Sequence, residues 1–415
     1  MNTPTVILIS IFAFLLLTLI LVGLLLYAKA KLTPGGTVQL RINGEQTLTV
    51  APGSSILSTL SNHKIFLPSA CGGGGTCGMC KCRVTSGGGQ ILPTETGFFT
   101  RKQQQSQWRL GCQVKVREDL EVVIPEEVLG VKKWECEVVS NRNVATFIKE
   151  FVVKLPEGEA LKFKSGGYVQ IDVPKCSVNF QKEIEVAPEY REDWDKMKIW
   201  DLCMKNPEPT FRAYSMANHP AEGNTVMLNI RIATPPWDRA KGGFMKVNPG
   251  VCSSYLFSRK PGDKVTVSGP YGEFFLRNTQ NEMLFVGGGA GMAPMRSHLF
   301  HLFHTLKTSR KVSFWYGARS KREIFYEEEF RAIEKAFPNF TFHIALSEPL
   351  PSDNWRGPVG FIHQVIFNNY LQHHEAPEDV EYYLCGPPLM TNAVTEMLDN
   401  LGVAAENVMF DDFGA

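Results

Sequence analysis

Four cysteines in the first third of the chain restrict its fold more than any other feature. Cys71, Cys77 and Cys80 lie in one glycine-rich loop with the spacing Cys-x5-Cys-x2-Cys, and Cys112 follows after a long gap. Four thiolates can bind the irons of a [2Fe–2S] cluster, and the plant-type spacing differs only in a shorter first gap. A loop that wraps a cluster needs unusual backbone angles, which the glycines at 72–75 permit. The spacing therefore predicts that these four cysteines bind a [2Fe–2S] cluster.

Other uses of these cysteines fit the pattern less well. A structural zinc site prefers two Cys-x2-Cys pairs, and the chain has one such pair. Disulfide frameworks are typical of small secreted domains rather than of a chain of 415 residues with 10 cysteines. Cys82 is a fifth thiol near the loop. We expect it to be a buried bystander, with replacement of a cluster ligand as the alternative.

The N-terminal segment is an uncharged apolar stretch. From Val6 to Tyr27 no side chain is charged, and at about 1.5 Å per residue such a helix crosses a hydrocarbon core of about 30 Å. Lys29 and Lys31 follow the stretch and no Lys or Arg precedes it, so the positive-inside rule places the N-terminus outside and the remaining chain in the cytoplasm. The sequence predicts a transmembrane anchor and linker over residues 1–32. A cleaved signal peptide is the alternative, although its basic n-region is missing.

Residues 33–128 carry the pattern of a small mixed domain. Asn43-Gly44 joins two alternating strand patterns in TVQLRINGEQTLTV, which is a strong hairpin signal. A helix is expected to begin near residues 53–55, before the cysteine loop, and LEVVIPEE supplies a closing strand. Together with the cysteine spacing, these elements resemble the adrenodoxin-like [2Fe–2S] ferredoxins. The resemblance implies a β-grasp fold for residues 33–128.

Short strand patterns separated by turns follow from Lys132 and predict an antiparallel β-barrel over residues 129–280. This region carries three motifs in succession: Arg212-Ala213-Tyr214-Ser215, then Gly250-Val251-Cys252-Ser253-Ser254-Tyr255-Leu256, then KPGDKVTVSGPYGEFF. In order and spacing the motifs resemble the flavin domain of the ferredoxin–NADP⁺ reductase family. The resemblance extends over about residues 130–415.

This resemblance implies an FAD site and a role for each residue that matches a motif. Arg212 would bind the flavin pyrophosphate through its guanidinium fork. Tyr214 would stack on the isoalloxazine, and Ser215 would hydrogen bond near flavin N5 and act in catalysis. Cys252 and Ser253 would present backbone N–H groups to phosphate from the N-terminus of a helix.

Residues 175–208 interrupt the barrel pattern with charged and aromatic residues, including the run EYREDWDKMKIWDLCMKN. A solvated loop with one amphipathic helix accounts for this composition. Long loops in compact domains are often functional. A docking surface for a partner is therefore the alternative interpretation.

Strand patterns alternate with helix patterns from Met283 onward, which predicts a parallel sheet and a nucleotide-binding domain over residues 281–415. MLFVGGGAGMAPM combines an apolar strand, a glycine turn and a helix start, so that backbone N–H groups can approach a pyrophosphate. The expected binding residues of this loop are Gly287, Gly288, Gly289, Gly291 and Pro294. In the reductase family a later Cys-Gly-Pro places its thiol beside the nicotinamide. The resemblance assigns this catalytic position to Cys385, followed by the cofactor-binding residues Gly386 and Pro387.

The choice between NADH and NADPH does not follow from the residues alone. An acidic residue for a ribose 2′-hydroxyl is not evident after the second strand, where Arg319-Ser320-Lys321-Arg322 stands instead. These cations could accept a 2′-phosphate. The family resemblance nevertheless favours NADH.

The chain ends in Phe410-Asp411-Asp412-Phe413-Gly414-Ala415. Reductases of this family often cover the flavin with a terminal aromatic residue that the nicotinamide displaces. The resemblance therefore implies a catalytic role for Phe413 and a carboxylate near flavin N5 from Asp411 or Asp412.

The order of the segments describes a converter of electron pairs into single electrons. NADH gives up two electrons as a hydride, a [2Fe–2S] cluster accepts one at a time, and FAD can do both. An anchor, a ferredoxin domain, a flavin domain and a nucleotide domain in this order resemble the NADH-oxidising subunits of Na⁺-translocating NADH:quinone reductases. The resemblance implies a single-pass protein of the bacterial cytoplasmic membrane that delivers electrons to partner membrane subunits, with quinone as final acceptor. A membrane-tethered NAD(P)H reductase component of an oxygenase or hydroxylase is the alternative.

The expected architecture is multidomain, of α+β and α/β class, with a transmembrane helix, a β-grasp domain, an antiparallel barrel and a parallel-sheet domain. The expected cofactors are the [2Fe–2S] cluster, FAD and NADH. The 43 Lys and Arg residues nearly balance the 42 Asp and Glu residues, so the composition predicts no nucleic-acid partner.

Overall fold

The computed structural model describes residues 3–32, 36–238, 240 and 242–411. The chain begins with helix α1 (Thr3–Leu32), and the large apolar side chains between Ile9 and Leu25 on it are exposed. Over the residues described, no helix meets the length and apolarity needed to cross a membrane. The transmembrane anchor stays a prediction.

The chain divides into two compact units, which are described separately. One comprises residues 1–69 and 73–130, and the other comprises residues 70–72 and 131–415.

The first unit contains a five-stranded mixed sheet. Its elements are β1 (Val38–Ile42), β2 (Gln46–Val50), α2 (Ile56–Asn62), β3 (Lys81–Ser86), α3 (Arg101–Gln105), β4 (Trp108–Leu110), β5 (Leu120–Val123) and α4 (Glu126–Leu129). The strand order is β2-β1-β5-β3-β4, in which β1 and β5 are parallel and the other pairs antiparallel. The predicted hairpin is confirmed, with Asn43 and Gly44 at φ values of 51° and 74°. The predicted helix is also present, and the Ser55 side chain caps it by accepting from the Ser58 N–H.

The second unit begins with an antiparallel barrel. Its elements are β6 (Lys132–Ala145), β7 (Ile148–Lys154), β8 (Tyr168–Val173), β9 (Cys176–Asn179), α5 (Phe180–Glu183), α6 (Arg191–Lys196), β10 (Cys203–Asn206), β11 (Thr210–Ser215), β12 (Thr225–Arg231), β13 (Trp237–Asp238), β14 (Gly243–Phe244), α7 (Val251–Phe257) and β15 (Lys264–Tyr271). Six strands pair in the order β11-β8-β15-β6-β7-β12. A bridge between Met216 and Leu228 joins the two outer strands, and the Ala217 N–H donates to the Met227 carbonyl at 2.7 Å. The predicted antiparallel barrel is confirmed.

The segment 175–208 packs against this barrel rather than lying wholly in solvent. Strands β9 and β10 pair with each other, and α6 lies between them in sequence. Phe180, Trp194 and Ile199 are fully buried in the barrel core, and the Trp194 indole N–H donates to the Thr146 carbonyl at 2.8 Å. The expectation of a solvated loop is therefore wrong for the apolar side chains, while the expected helix is present.

The rest of the second unit is a five-stranded parallel sheet with helices. Its elements are β16 (Met283–Gly288), α8 (Met292–Phe300), β17 (Val312–Ala318), α9 (Glu327–Ala336), β18 (Phe340–Leu346), α10 (Ile362–Asn369), β19 (Glu381–Cys385), α11 (Pro388–Asn400) and β20 (Val408–Asp411). The order is β18-β17-β16-β19-β20 with all neighbours parallel, so the predicted nucleotide-binding topology is confirmed. In such sheets ligands bind beyond the carboxyl ends of the strands.

Candidate functional site

The cysteine loop has the unusual backbone that its sequence predicts. Gly72, Gly73 and Gly75 adopt φ values of 68°, 91° and 78°, which an L side chain rarely adopts. The sulfur of Cys80 lies close enough to Cys112 for a hydrogen bond, and this bond, followed by burial, raises the pKa of the Cys80 thiol above its usual value. The charge of Cys77 also raises the pKa of Cys80.

The donor chemistry of this loop fits an iron–sulfur cluster. The Gln113 side-chain amide donates to the Cys112 sulfur at 3.6 Å, the kind of N–H···S contact that clusters receive. In the part of the chain that the structure describes, no three His, Cys, Asp or Glu side chains are arranged to hold a single metal ion. A [2Fe–2S] cluster is a larger group that takes four thiolates. The assignment of Cys71, Cys77, Cys80 and Cys112 as its ligands remains a prediction.

Cys82 is fully buried on β3, with its thiol 3.9 Å from the Arg109 carbonyl. Burial raises the pKa of this thiol to about 12, so Cys82 is a protonated interior group. This environment agrees with the expected bystander role.

The predicted flavin residues lie on β11 and at the start of α7. The Tyr214 hydroxyl hydrogen bonds to the Cys252 sulfur, which ties the strand to the helix, and burial raises the Tyr214 pKa well above its usual value. The Arg212 guanidinium donates to the Thr210 hydroxyl and the Phe211 carbonyl from one nitrogen, which leaves its other N–H groups for a ligand. The Ser253 hydroxyl is used internally, because it accepts from the Ala233 N–H and donates to the Gly250 carbonyl. First-turn N–H groups of α7 have no intrahelical acceptor.

A cleft of about 540 Å³, called the large cleft, lies between this face of the barrel and the glycine loop after β16. The predicted residues on its wall are Arg212, Tyr214, Ser215, Cys252, Ser253, Gly288, Gly291, Gly386 and Pro387. Gly287, Pro294 and Cys385 are instead buried in the surrounding structure. The size is in the range of ligand sites, and the wall combines a guanidinium, an aromatic ring and backbone, which fits a flavin.

The glycine loop depends on close backbone packing at Gly291. A Cβ atom there would lie 2.1 Å from the Cys385 carbonyl oxygen, so no side chain can be accommodated without movement. Cys385 pairs with Gly287 on one side and with Asp411 on the other. This packing brings the glycine loop and the Cys-Gly-Pro segment to the same end of the sheet.

A hydrogen bond joins the barrel to the last strand of the parallel sheet. The Ser215 hydroxyl on β11 donates to the Asp411 carboxylate at the end of β20, at 2.5 Å. The sequence offered Asp411 and Asp412 equally as the carboxylate near flavin N5, and Asp411 meets Ser215. Asp412 and Phe413 lie outside the described residues, so the role of Phe413 stays a prediction.

A second cleft of about 270 Å³, called the small cleft, opens beyond the carboxyl ends of β16, β17 and β18. Gly289 lines it, together with three residues that the sequence analysis did not single out: Arg231, Glu323 and Phe361. Glu323 accepts from the Thr146 hydroxyl at 2.5 Å, and the Phe361 side chain is 64% exposed although large and aromatic. No local motif marks these residues, because they come from three distant segments.

Three family models match the chain in the order of the described elements. A 2Fe-2S iron-sulfur cluster binding domain matches residues 40–117, an oxidoreductase FAD-binding domain residues 199–276, and an oxidoreductase NAD-binding domain residues 285–396. The chain is an iron–sulfur flavoprotein oxidoreductase that uses a nicotinamide nucleotide.

Relatives that match along nearly the whole chain identify the particular family. The chain is 55% identical to the F subunit of the Na(+)-translocating NADH-quinone reductase of Pseudomonas aeruginosa strain UCBPP-PA14, over 95% of both chains. It is 52% identical to the corresponding protein of Neisseria meningitidis strain FAM18, over 98% of this chain and 99% of the relative, and 54% identical to that of Marinomonas sp., over 98% of both. The chain belongs to the family of F subunits of Na⁺-translocating NADH-quinone reductases.

Solved structures share the fold at much lower identity. A cytochrome P450 reductase from Amycolatopsis, GcoB, matches 91% of this chain and 99% of its own with a TM-score of 0.61 and 22% identity. A ferredoxin reductase in carbazole 1,9a-dioxygenase matches 91% of this chain and 98% of its own with a TM-score of 0.58 and 25% identity. These matches show that solved reductases share the fold over most of this chain.

Proposed function

We propose that this chain is the NADH-oxidising subunit of a sodium-pumping NADH:quinone reductase and converts the electron pair of NADH into single electrons. One observation supports the proposal: the residues of β11 predicted to bind flavin and the Gly386-Pro387 segment of the parallel sheet line one cleft, and the Ser215–Asp411 hydrogen bond joins β11 to the last strand of that sheet. A hydride donor held by the sheet and an acceptor held by the barrel would meet there.

The chain's own side chains supply binding and proton control. Bound FAD accepts a hydride and releases electrons singly, and a [2Fe–2S] cluster accepts one electron at a time. Arg212 would hold the pyrophosphate of FAD, and Tyr214, fixed by Cys252, would support the flavin ring. Asp411 accepts a hydrogen bond from the Ser215 hydroxyl, which would orient the serine oxygen and place a carboxylate that can accept a proton beside it.

Helix α1 is proposed to be a single-pass anchor in the bacterial cytoplasmic membrane, with the N-terminus outside and the catalytic domains in the cytoplasm. The uncharged sequence from Val6 to Tyr27, the exposed apolar side chains between Ile9 and Leu25, and the lysines at 29 and 31 support this topology. The stretch from Val6 to Tyr27 has no Asp, Glu, His, Lys or Arg, and such a span cannot move an ion by itself. Sodium transport would therefore occur in partner membrane subunits, which pass the electrons on to quinone.

The oxygenase-reductase alternative is not favoured. A solved cytochrome P450 reductase and a ferredoxin reductase in a dioxygenase match at 22–25% identity, whereas F subunits of the quinone reductase match at 52–55% along nearly the whole chain.

The proposal is tested by rapid mixing of the detergent-purified full-length protein with NADH. We expect Ser215→Ala and Asp411→Asn to slow flavin reduction by about a hundredfold, since each removes half of the proton-holding pair. Asp399→Asn, an exposed change on α11, is the matched control and should leave the rate unchanged. Flavin content after heat release should be equal in all proteins. Unchanged reduction rates in both variants would contradict the role given to this pair, and absence of NADH oxidation by the unaltered protein would contradict the function.

A further inference from the structure

We infer that the acidic helix α6 of the 175–208 segment makes this reductase select NADH over NADPH, by neutralising Arg322, while Glu323 accepts the ribose 2′-hydroxyl. The inference rests on the proposed function, because it assigns the adenosine half of the same nicotinamide nucleotide to the small cleft. It gives the segment a role in cofactor choice rather than in partner docking.

The small cleft lies where the second strand of a dinucleotide-binding sheet ends, the usual place for an adenosine ribose. The segment after β17 carries Arg319, Lys321 and Arg322, and Arg319 itself lines the cleft. By sequence alone these cations form a site for a 2′-phosphate.

Helix α6 of the 175–208 segment alters the charge of this site. The Arg322 guanidinium lies 3.4 Å from the Asp193 carboxylate and 3.9 Å from Glu192, both in α6. Asp193 and Arg322 are each less than one-third exposed, so this pair is screened less than a pair in open water. The fully buried Trp194 between Asp193 and Asp195 fixes the helix against the barrel, which keeps the carboxylates in place.

A third carboxylate contacts the same turn. Asp353 accepts from the backbone N–H of Lys321 at 3.1 Å. This bond is the largest cause that lowers the Asp353 pKa, and the charges of Arg322 and Lys321 lower it further. Asp193 and Asp353 therefore both act on the segment that joins Arg319, in the wall of the small cleft, to Glu323.

Glu323 is the residue placed to recognise an unphosphorylated ribose. It lines the small cleft, and one of its carboxylate oxygens accepts from the Thr146 hydroxyl at 2.5 Å, which fixes the side chain. Its backbone carbonyl accepts from the Tyr316 hydroxyl at 3.2 Å. A carboxylate accepts well from a ribose hydroxyl but repels a phosphate monoester, which carries a charge of about −1.5 to −2 at neutral pH.

Phe361 completes the site as a flat apolar surface. It stands 64% exposed at the cleft, and such an aromatic face stacks readily on a base. The arrangement therefore offers stacking to the adenine and a carboxylate to the ribose, and the cation next to that carboxylate in sequence, Arg322, is paired with α6.

Steady-state kinetics of the holoprotein with NADH and NADPH test the inference. The double variant Glu192→Gln with Asp193→Asn should raise the ratio of kcat/KM for NADPH to that for NADH by about tenfold, since it frees a charged donor for the phosphate. Glu323→Gln should raise KM for NADH with kcat nearly unchanged, the pattern expected when ground-state and transition-state binding weaken together. Asp195 lies on the same helix but accepts from the Trp200 indole N–H rather than pairing with Arg322. Asp195→Asn is therefore the matched control and should leave both constants unchanged.

Calorimetric titration with 2′,5′-ADP and with 5′-AMP gives a readout without electron transfer. The unaltered protein should bind 5′-AMP more tightly, and the double variant should gain affinity for 2′,5′-ADP alone. Equal ratios in the double variant and in Asp195→Asn would overturn the inference. So would unaltered protein that oxidises NADPH as efficiently as NADH, although that result would leave the proposed function standing.

Discussion

Replacing Arg109 by methionine removes the cation from a buried ion pair beside the cysteine loop. The Arg109 guanidinium donates to both oxygens of Glu95, at 2.8–3.1 Å, and to the carbonyls of Gly88 and Gly89. Glu95 is fully buried and also accepts from the N–H of Leu110, two residues before Cys112. The pair therefore fastens the loop 88–95 to the strand that leads into a predicted cluster ligand.

The expected loss follows from what the substitution leaves behind. Breaking a buried pair from one side costs about 3–5 kcal/mol, because an uncompensated charge remains buried. A domain of this size is stabilised by only about 5–15 kcal/mol, and its midpoint falls by roughly 4–8 °C per kcal/mol. We therefore expect the melting midpoint of the ferredoxin domain to fall by more than about 10 °C. Adding Glu95→Gln to Arg109→Met removes the remaining charge and should recover part of the loss.

Visible absorbance of the cluster and fluorescence of released flavin separate the two units during heating. At one scan rate, Arg109→Met should lose the cluster signal earlier while flavin release is unchanged. Arg101→Met, at an exposed position of the same domain, is the control and should melt like the unaltered protein. A midpoint for Arg109→Met within about 2 °C of this control would refute the argument that the pair stabilises the domain.

Two further substitutions test the cluster ligands and the glycine loop. Cys77→Ala should abolish the cluster absorbance and its electron paramagnetic resonance signal while NADH still reduces the flavin. The reason is that the residues predicted for the cluster and for FAD lie in different family domains. A retained cluster would mean that Cys82 replaces a ligand. Gly291→Ala should lower kcat/KM for NADH by more than about tenfold with normal flavin content, since its Cβ would meet the Cys385 carbonyl, whereas Gly243→Ala, with open space around its Cβ, should have no effect.

The features that the sequence predicted correctly depend on neighbours in the chain. The Asn43-Gly44 turn, the start of a helix near residues 53–55 and the strand-turn-helix at Met283 each arise from a few consecutive residues, so local pattern suffices. The barrel and the parallel sheet follow from the order of such patterns. For the same reason the contact between Ser215 and Asp411 needed the structure, since the two residues lie far apart in sequence and Asp411 is placed by the pairing of β20 with β19.

The features that the sequence analysis missed are contacts between distant segments. Arg322 looked like a phosphate-binding cation because its partners Glu192 and Asp193 lie far earlier in the chain. The segment expected to be a solvated loop is packed against the barrel, where the Trp194 indole N–H donates to the Thr146 carbonyl. Thr146 lies in the turn between β6 and β7, and its hydroxyl donates to Glu323. Charge pairing of this kind leaves no spacing signal in a single sequence.

The two clefts are expected to act on different parts of one nucleotide, the small cleft on the adenosine and the large cleft on the nicotinamide. They share Arg231, Gly288 and Pro387, so a dinucleotide with its adenosine in the small cleft reaches the large cleft by passing over the glycine loop. The small cleft contacts a part of NADH that does not change during hydride transfer, so its residues act on the substrate and the transition state equally and alter KM. Ser215 lines the large cleft, where hydride transfer is proposed to occur, and its hydrogen bond with Asp411 is therefore expected to act on the rate of flavin reduction. Because the two effects appear in different constants, discrimination between NADH and NADPH can be changed at α6 without changing the rate of flavin reduction.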